Sequence, residues 1–373
     1  MNNKVLVVGG SHHNTYSLLR CFGEAGLKVD LILCGCKDSF IGHSTYIDNL
    51  WYCDDEESAY IEIVELLNNT DIRYVIISAT DKGVSLLDEH YEELHDKCEF
   101  FNAGGPGVIT HYMDKIVQVN EAAKAGFSVP ITRSFEDGEH IYSDCFPCLI
   151  KPSASIDGGK RIAICHSLGD VEACVSQFSG VKKVLVQQYI EKDEEIVIVG
   201  VSMGGYIYIP GYIIKYRDVA GGTTYSSTAP INELDTNVTE SAKRLVKDIN
   251  YEGLFGIECI KSHGEYFFIE INLRNDATSY SMAVAGVNLP LMYYQFYTGE
   301  RSKLTMRPVR KIYSMVEIKD FSNVLHGRVN LLSWLRQRKG AECLYYYSKY
   351  DKLPYQIACR NYVSDTLKKI ARL

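Results

Sequence analysis

At 373 residues the chain exceeds one ordinary domain and has room for two or three, each with its own core. Its 46% hydrophobic and 23% charged residues are those of a soluble globular protein, and no apolar run approaches the roughly 18 residues of a membrane-spanning helix. A formal charge of −8, a pI near 5.7 and no recognised nucleic-acid-binding motif argue against nucleic acid as a partner. The start, residues 1–10, is too short in its apolar part for a signal peptide, so a cytoplasmic location is expected, with most of the twelve cysteines reduced and buried.

Strand and helix alternate from residue 4 to about 107: strands at 5–8, 29–34 and 74–78, helices at 16–26 and 61–68. That alternation predicts a parallel sheet covered by helices. The loop Gly9-Gly10-Ser11-His12-His13 lacks the third glycine of a dinucleotide fingerprint, and no acidic residue clearly closes the second strand, so a dinucleotide site is not expected. His12 and His13 suit either a substrate anion or plain exposure. Thr80-Asp81-Lys82 makes a second loop at the same end of the sheet.

A helix opens at Asp114-Lys115, packs Ile116, Val119 and Ala123 on one face, and closes at Gly126. Cys145 and Cys148 form a lone Cys-x-x-Cys with no second pair at zinc-ribbon spacing, which favours a structural role. The stretch 147–152 reads as a strand delivering Lys151, and the small residues 153–161 that follow are rich in backbone donors. Residues 184–190 end another strand, and 215–224 read as a charged loop with glycines.

Two strands, 254–261 and 268–274, flank the turn Ser262-His-Gly-Glu and can form a hairpin. In the second, Glu270, Asn272 and Arg274 share one face and Ile269, Ile271 and Leu273 the other. A carboxylate and an amide suit a hard divalent cation, and a guanidinium beside them suits a phosphate or carboxylate. The same alternation also fits a half-buried strand with a solvated polar face. Glu258, before the turn, can approach Glu270 across the hairpin.

Taken in order, these segments resemble the ATP-grasp superfamily of ATP-dependent ligases, whose metal-binding strand commonly reads Glu-hydrophobic-Asn-x-Arg. The resemblance implies an α/β fold with an N-terminal Rossmann-like parallel-sheet domain (1–109) and an ATP-grasp domain (110–300). The latter would have two lobes, about 110–185 and 186–300, followed by a basic C-terminal segment (301–373). By the same resemblance Glu258, Glu270 and Asn272 would hold Mg2+, with Mn2+ as an alternative. Lys115 and Lys151 would meet the ATP phosphates under a loop containing Ser153, Ser155, Gly158 and Gly159. Gln187, Gln188, Tyr189 and Ile190 fall at the adenine linker, where many relatives have glutamate in place of Gln187. Glu194 falls at the ribose contact, and Lys215 or Arg217 would add a cation to the triphosphate. Arg274 and Lys151 would be the catalytic residues, steadying the transferring phosphoryl group. The loop from Gly9 to Asn14 would touch the non-nucleotide substrate, and Asp276 and Ser281 stand where an amine would be met, although N-capping uses the same residue types.

The implied reaction is ligation of a carboxylate, an amino acid in our reading, to an amine through an acyl phosphate, most like the D-aspartate ligase and carbamoyl-phosphate-synthase-like subgroup. The acceptor amine could belong to a peptide or a cell-envelope precursor, and a homodimer stays open. Carboxylate or bicarbonate phosphorylation without amide formation, and non-catalytic nucleotide binding, are the alternatives.

Residues 301–373 carry 16 Lys plus Arg against 5 Asp plus Glu, net +11, which leaves residues 1–300 at −19. Basic residues interleaved with Leu331, Leu332, Trp334, Leu335 and Leu367 can meet an anionic membrane surface or acceptor, or dock on the acidic body of the same molecule.

Overall fold

The computed structural model describes residues 3–153, 162–220, 222–304 and 306–370. Ser155, Gly158 and Gly159 therefore lie outside the described residues.

Runs of Val, Ile and Leu build a parallel sheet from β1 (Asn3–Gly10), β2 (Val29–Cys34), β3 (Ile47–Cys53) and β4 (Arg73–Ser78), in the order β3-β2-β1-β4. Around it lie helices α1 (His13–Gly23), α2 (Glu56–Asn68), α3 (Asp81–Glu89), α4 (Tyr91–Leu94) and α5 (Val108–Tyr112). The edge strand β3 has no continuous apolar run, because Asp48 and Asn49 face water, and its pattern does not read as a strand in the sequence. Helix α1 starts three residues earlier than its apolar pattern suggests. Its first turn, His13, Asn14 and Thr15, is polar yet buried, and His12 caps it by accepting the Asn14 N–H at 3.2 Å.

Next come α6 (Lys115–Ala125) and a small antiparallel sheet of β5 (Thr132–Glu136), β6 (Cys148–Pro152), β7 (Ala163–Cys165) and β8 (Lys183–Gln188), ordered β5-β8-β6-β7 and backed by α7 (Leu168–Val175). This sheet has its own core, in which Cys148, Cys165 and Cys174 act as small hydrophobes beside Ile150, Val171 and Val186.

The large sheet contains β9 (Glu194–Met203), β10 (Tyr206–Val219), β11 (Gly222–Pro230), β12 (Gly253–Ser262) and β13 (Glu265–Asn272). It also takes in β14 (Tyr313–Met315) and β15 (Cys343–Leu344), giving the order β13-β12-β9-β10-β11-β14-β15. Packed on it or following it are α8 (Thr236–Asp248), α9 (Ser279–Val284), α10 (Leu289–Tyr297), α11 (Glu317–Leu325), α12 (Leu331–Gly340) and α13 (Lys352–Ile370). The stretch 215–224, expected as a loop, is instead the two long strands of the β10–β11 hairpin turning at Ala220. Gly222 opens β11, and the register breaks between Lys215 and Arg217 and again between Arg217 and Asp218.

The basic segment after residue 300 completes this sheet and does not trail from it. Strand β14 pairs with β11, and β15 adds in parallel beyond it. Asp320, fully buried on α11, accepts hydrogen bonds from Arg217 Nε and Nη2 (3.1 and 2.7 Å), Thr224 Oγ1 (2.6 Å), Trp334 Nε1 (2.9 Å) and Asn323 Nδ2 (3.1 Å). A second buried carboxylate, Asp351, receives Tyr16 OH (3.2 Å), Ser44 Oγ (2.6 Å) and the Thr45 N–H (3.0 Å), fastening the start of α13 to the N-terminal sheet. Each of these two carboxylates is offset by several donors, as a buried charge must be. No helix among the described residues is long and apolar enough to cross a membrane.

Candidate active site

The β12–β13 hairpin aligns its two acids in register: Glu258 lies opposite Glu270, and Gly256 opposite Asn272. On the reverse side Ile257, Ile271 and Leu273 enter the core, which separates a greasy face from a charged one. A Cβ at Gly256 would stand 3.0 Å from the Asp276 carboxyl, so glycine lets the segment after Arg274 fold back against the hairpin.

Three lysines from three elements converge on these carboxylates. Lys115, the first residue of α6, lies 3.2 Å from Glu270 Oε2. Lys215 on β10 lies 2.6 Å from Glu258 Oε2 and 2.7 Å from Glu195 Oε1. Lys151 on β6 is buried and donates to Gln187 Oε1 on the neighbouring β8 at 2.9 Å. Burial, with repulsion from Lys115, depresses the Lys151 ammonium to about 8 despite the opposing pull of Glu270. The two acids diverge. Burial pushes Glu258 up to about 7, with Glu270 and Asp276 adding to it and Lys215 opposing. Burial also penalises charge on Glu270, but Lys115, Lys151 and Lys215 outweigh it and hold the carboxyl below its usual range. Burial likewise disfavours the charged Lys215, yet Glu258 and Glu195 keep its ammonium above the usual range.

Arg274 is anchored at all three nitrogens: Nε to Asp81 Oδ1 (2.7 Å), Nη2 to Asn272 Oδ1 (3.1 Å) and Nη1 to the Asn275 carbonyl (3.2 Å). Asp81 opens α3, so the loop at 80–82 supplies a carboxylate that orients this guanidinium. Asn14 ties the other crest loop to the same place, donating to the Ala79 and Asn275 carbonyls at 3.0 Å each.

The remaining candidate residues divide. Ser153 donates to Asp114 Oδ1 at 3.2 Å, and Asp114 caps α6, so Ser153 is tied to the helix that presents Lys115. Gln187 bridges Lys151 and Thr132 Oγ1, while Gln188 Oε1 accepts the Ile131 N–H at 3.3 Å. Tyr189 is exposed and Ile190 buried just beyond β8. Glu194 opens β9 opposite Lys261, and it is the next residue, Glu195, that meets Lys215. Arg217 is not brought to the cluster; its guanidinium is held by Asp320 and by Gln337 Oε1 at 2.8 Å. Asp276 accepts from Thr278 N and Oγ1, and Ser281 donates to the Thr278 carbonyl, both serving the local turn. His13 is buried against Tyr345. His12 is exposed, with Nε2 2.9 Å from Lys319 Nζ; crowding by the surrounding protein, with the Lys319 and Arg274 charges, lowers its imidazole pKa.

Sequence reasoning missed Glu195 and Gln118. The Gln118 amide, on α6, accepts the Ile271 N–H at 3.1 Å and donates to the Ile271 carbonyl at 3.0 Å. It therefore stands in for a neighbouring strand along the free edge of β13, and nothing in one sequence marks a helical glutamine for that role.

Oxygen donors Glu258, Glu270 and Asn272 share one face, and their negative charge is matched in this structure by lysines. That donor chemistry fits a hard divalent cation, with substrate oxygens completing its shell. Among the described residues no group of three or more His, Cys, Asp or Glu is placed to hold a metal.

The structure is a mixed α/β framework in which a lysine–carboxylate cluster lies where α6, the small sheet and the large sheet meet. Residues 127–286 match the family model of the ATP-grasp domain, so this chain carries an ATP-grasp domain. It is similar to the carbamoyl phosphate synthase large chain of Clostridium botulinum (strain Alaska E43 / Type E3), 30% identical over 251 residues, covering 65% of this chain and 21% of that protein. It shares its fold with an L-amino acid ligase from Bacillus licheniformis, at TM-score 0.63 and 16% identity, covering 84% of this chain and 79% of the other. It also shares it with the biotin carboxylase domain of Hydrogenobacter thermophilus 2-oxoglutarate carboxylase, solved with MgADP, ADP and bicarbonate, at TM-score 0.61 and 18% identity, covering 82% and 73%. The chain spans less than a third of the length of the carbamoyl phosphate synthase chains it matches.

Proposed function

We propose that the chain is an ADP-forming carbon–nitrogen ligase that uses ATP and Mg2+ to join a small-molecule carboxylate, an amino acid, to an amine. The observation that carries this reading is the convergence of Lys115, Lys151 and Lys215 from three elements on the Glu258–Glu270 pair, beside a fixed Arg274. In the first step a carboxylate oxygen of the substrate attacks the γ-phosphorus of ATP, and the bond to ADP breaks. In the second the amine nitrogen attacks the acyl carbon, inorganic phosphate leaves with the bonding pair, and the nitrogen gives up a proton.

Lys151 and Lys115 bind the phosphate oxygens, Gln187 aims Lys151, and Arg274 holds the charge that builds on the transferring group. Glu258, Glu270 and Asn272 would hold Mg2+, which supplies further neutralisation of phosphate charge when bound. Lys215 would then be released from Glu258 toward substrate. Gln187 and Gln188 at the end of β8, with Tyr189 and Ile190 just beyond it, form the adenine contact, with Glu194 for the ribose; Ser155, Gly158 and Gly159 complete the phosphate loop in this reading.

The bicarbonate bound by the Hydrogenobacter enzyme favours a second reading, carboxylate or bicarbonate activation without amide formation. A hydroxylamine trap tests both. Purified protein with ATP, Mg2+ and a panel of amino acids and other carboxylates should give hydroxamate and ADP together with one carboxylate. ADP production stimulated by bicarbonate and indifferent to every amine would favour the second reading, and no turnover across the panel would count against both.

A further inference from the structure

A cavity of about 500 Å³ opens where the loop before α1, the facing ends of β10 and β11, α11 and α13 meet. That volume is in the range of small-ligand sites. Its polar lining is cationic or neutral: Lys319, His12, His326 and Ser322, with no carboxylate among the described lining residues. Its apolar lining includes Leu325 and Tyr362. Lys319 forms no ion pair among the described residues and rests instead on His12 Nε2 at 2.9 Å. In a chain whose other buried lysines have carboxylate or amide partners, a half-buried ammonium facing a cavity is a site for an anion the protein does not supply. The cavity lies near the reaction centre, because His12 in its lining feels the charge of Arg274.

We infer that this cavity receives the second substrate of the ligation, through a carboxylate or phosphate group bound by Lys319 with its apolar body against Leu325 and Tyr362. The inference rests on the ligase reading and adds to it a substrate class and an address formed by the C-terminal helices. In the bound state Lys319 exchanges His12 for the anion, and the reacting end of the ligand points toward Arg274.

The test is calorimetric titration of the full chain with benzoate and, separately, phenyl phosphate, each in the presence and absence of saturating Mg-ADP. The expected result is one saturable site for at least one probe, the tighter of the two identifying the head group. Lys319→Met should weaken that probe by roughly ten- to a hundredfold, the loss of one charge-assisted hydrogen bond. Leu325→Trp, which fills the cavity without removing charge, should weaken it as well, while both variants keep the wild-type Kd for ADP. Equal probe affinity in the variants, or competition between probe and ADP, overturns the assignment. Absence of probe binding with ADP binding intact overturns this inference alone; probe binding without any ADP binding overturns the ligase reading and the acceptor role with it.

Discussion

Lys151 carries a charge in a place where charge is expensive, and its ammonium is correspondingly easy to lose. With its pKa lowered to about 8 by burial, the side chain is protonated below that pH and neutral above it, so attraction for a polyphosphate fades as pH rises through about 8. In the proposed reading Glu258 would set the opposite limb: with its carboxyl raised to about 7, chiefly by burial, it would be free to hold a cation only as pH rises through that value. The expected kcat/KM for ATP is therefore a narrow bell between about 7 and 8. Lys151→Arg should remove the alkaline limb, since guanidinium stays charged, and a profile unchanged in that variant would rule Lys151 out as its source. Glu270→Ala should cut ATP turnover by at least roughly a hundredfold, the scale of losing one electrostatic partner of the transition state, with an unaltered circular dichroism spectrum. Normal turnover in that variant would sink the metal assignment.

Elements reach this geometry through contacts that a single sequence does not announce. The acids on β12 and β13 are legible because strand alternation sorts them to one face, whereas Lys115 and Lys151 are reached only through the order of segments that resembles the ATP-grasp superfamily. Arg217 shows the limit: on the same strand as Lys215, it lies beyond a break in register and so meets Asp320 and not the carboxylate cluster. The bulge, invisible in composition, decides which cation goes where. Gln118→Ala leaves the Ile271 peptide unpaired at the edge of β13 and should cost about 1–3 kcal/mol in urea unfolding. Asp320→Ala strands a mostly buried guanidinium, a hydroxyl and an indole N–H at once, and should cost about 3–5 kcal/mol; a loss below 1 kcal/mol would mean that water replaces the carboxylate.

Over the whole molecule, the segment after residue 300 packs on the body through strand pairing, a small Trp334-centred core and its own buried acids, since β14 pairs with β11 and Asp320 and Asp351 accept from body donors. Lys303 pairs with the neighbouring Glu300, and Arg310 with Glu342 of the segment itself. A chain ending at Arg328 loses Trp334, β15 and Asp351 together, and should be degraded by trace protease under conditions in which the full chain survives. That partition could not be read from composition, since a solvated basic tail and a docked one have the same residues.

The link between Tyr16 and Asp351 spans 335 positions along the chain. Closing so long a loop is entropically costly, and this contact forms only when the chain is nearly complete. While a ribosome is still short of Asp351, Ser44, Thr45 and Tyr16 lack their shared acceptor, and a chain short of Tyr313 also leaves the edge of β11 unpaired. A nascent chain halted before Tyr313 therefore presents an open strand edge to its neighbours.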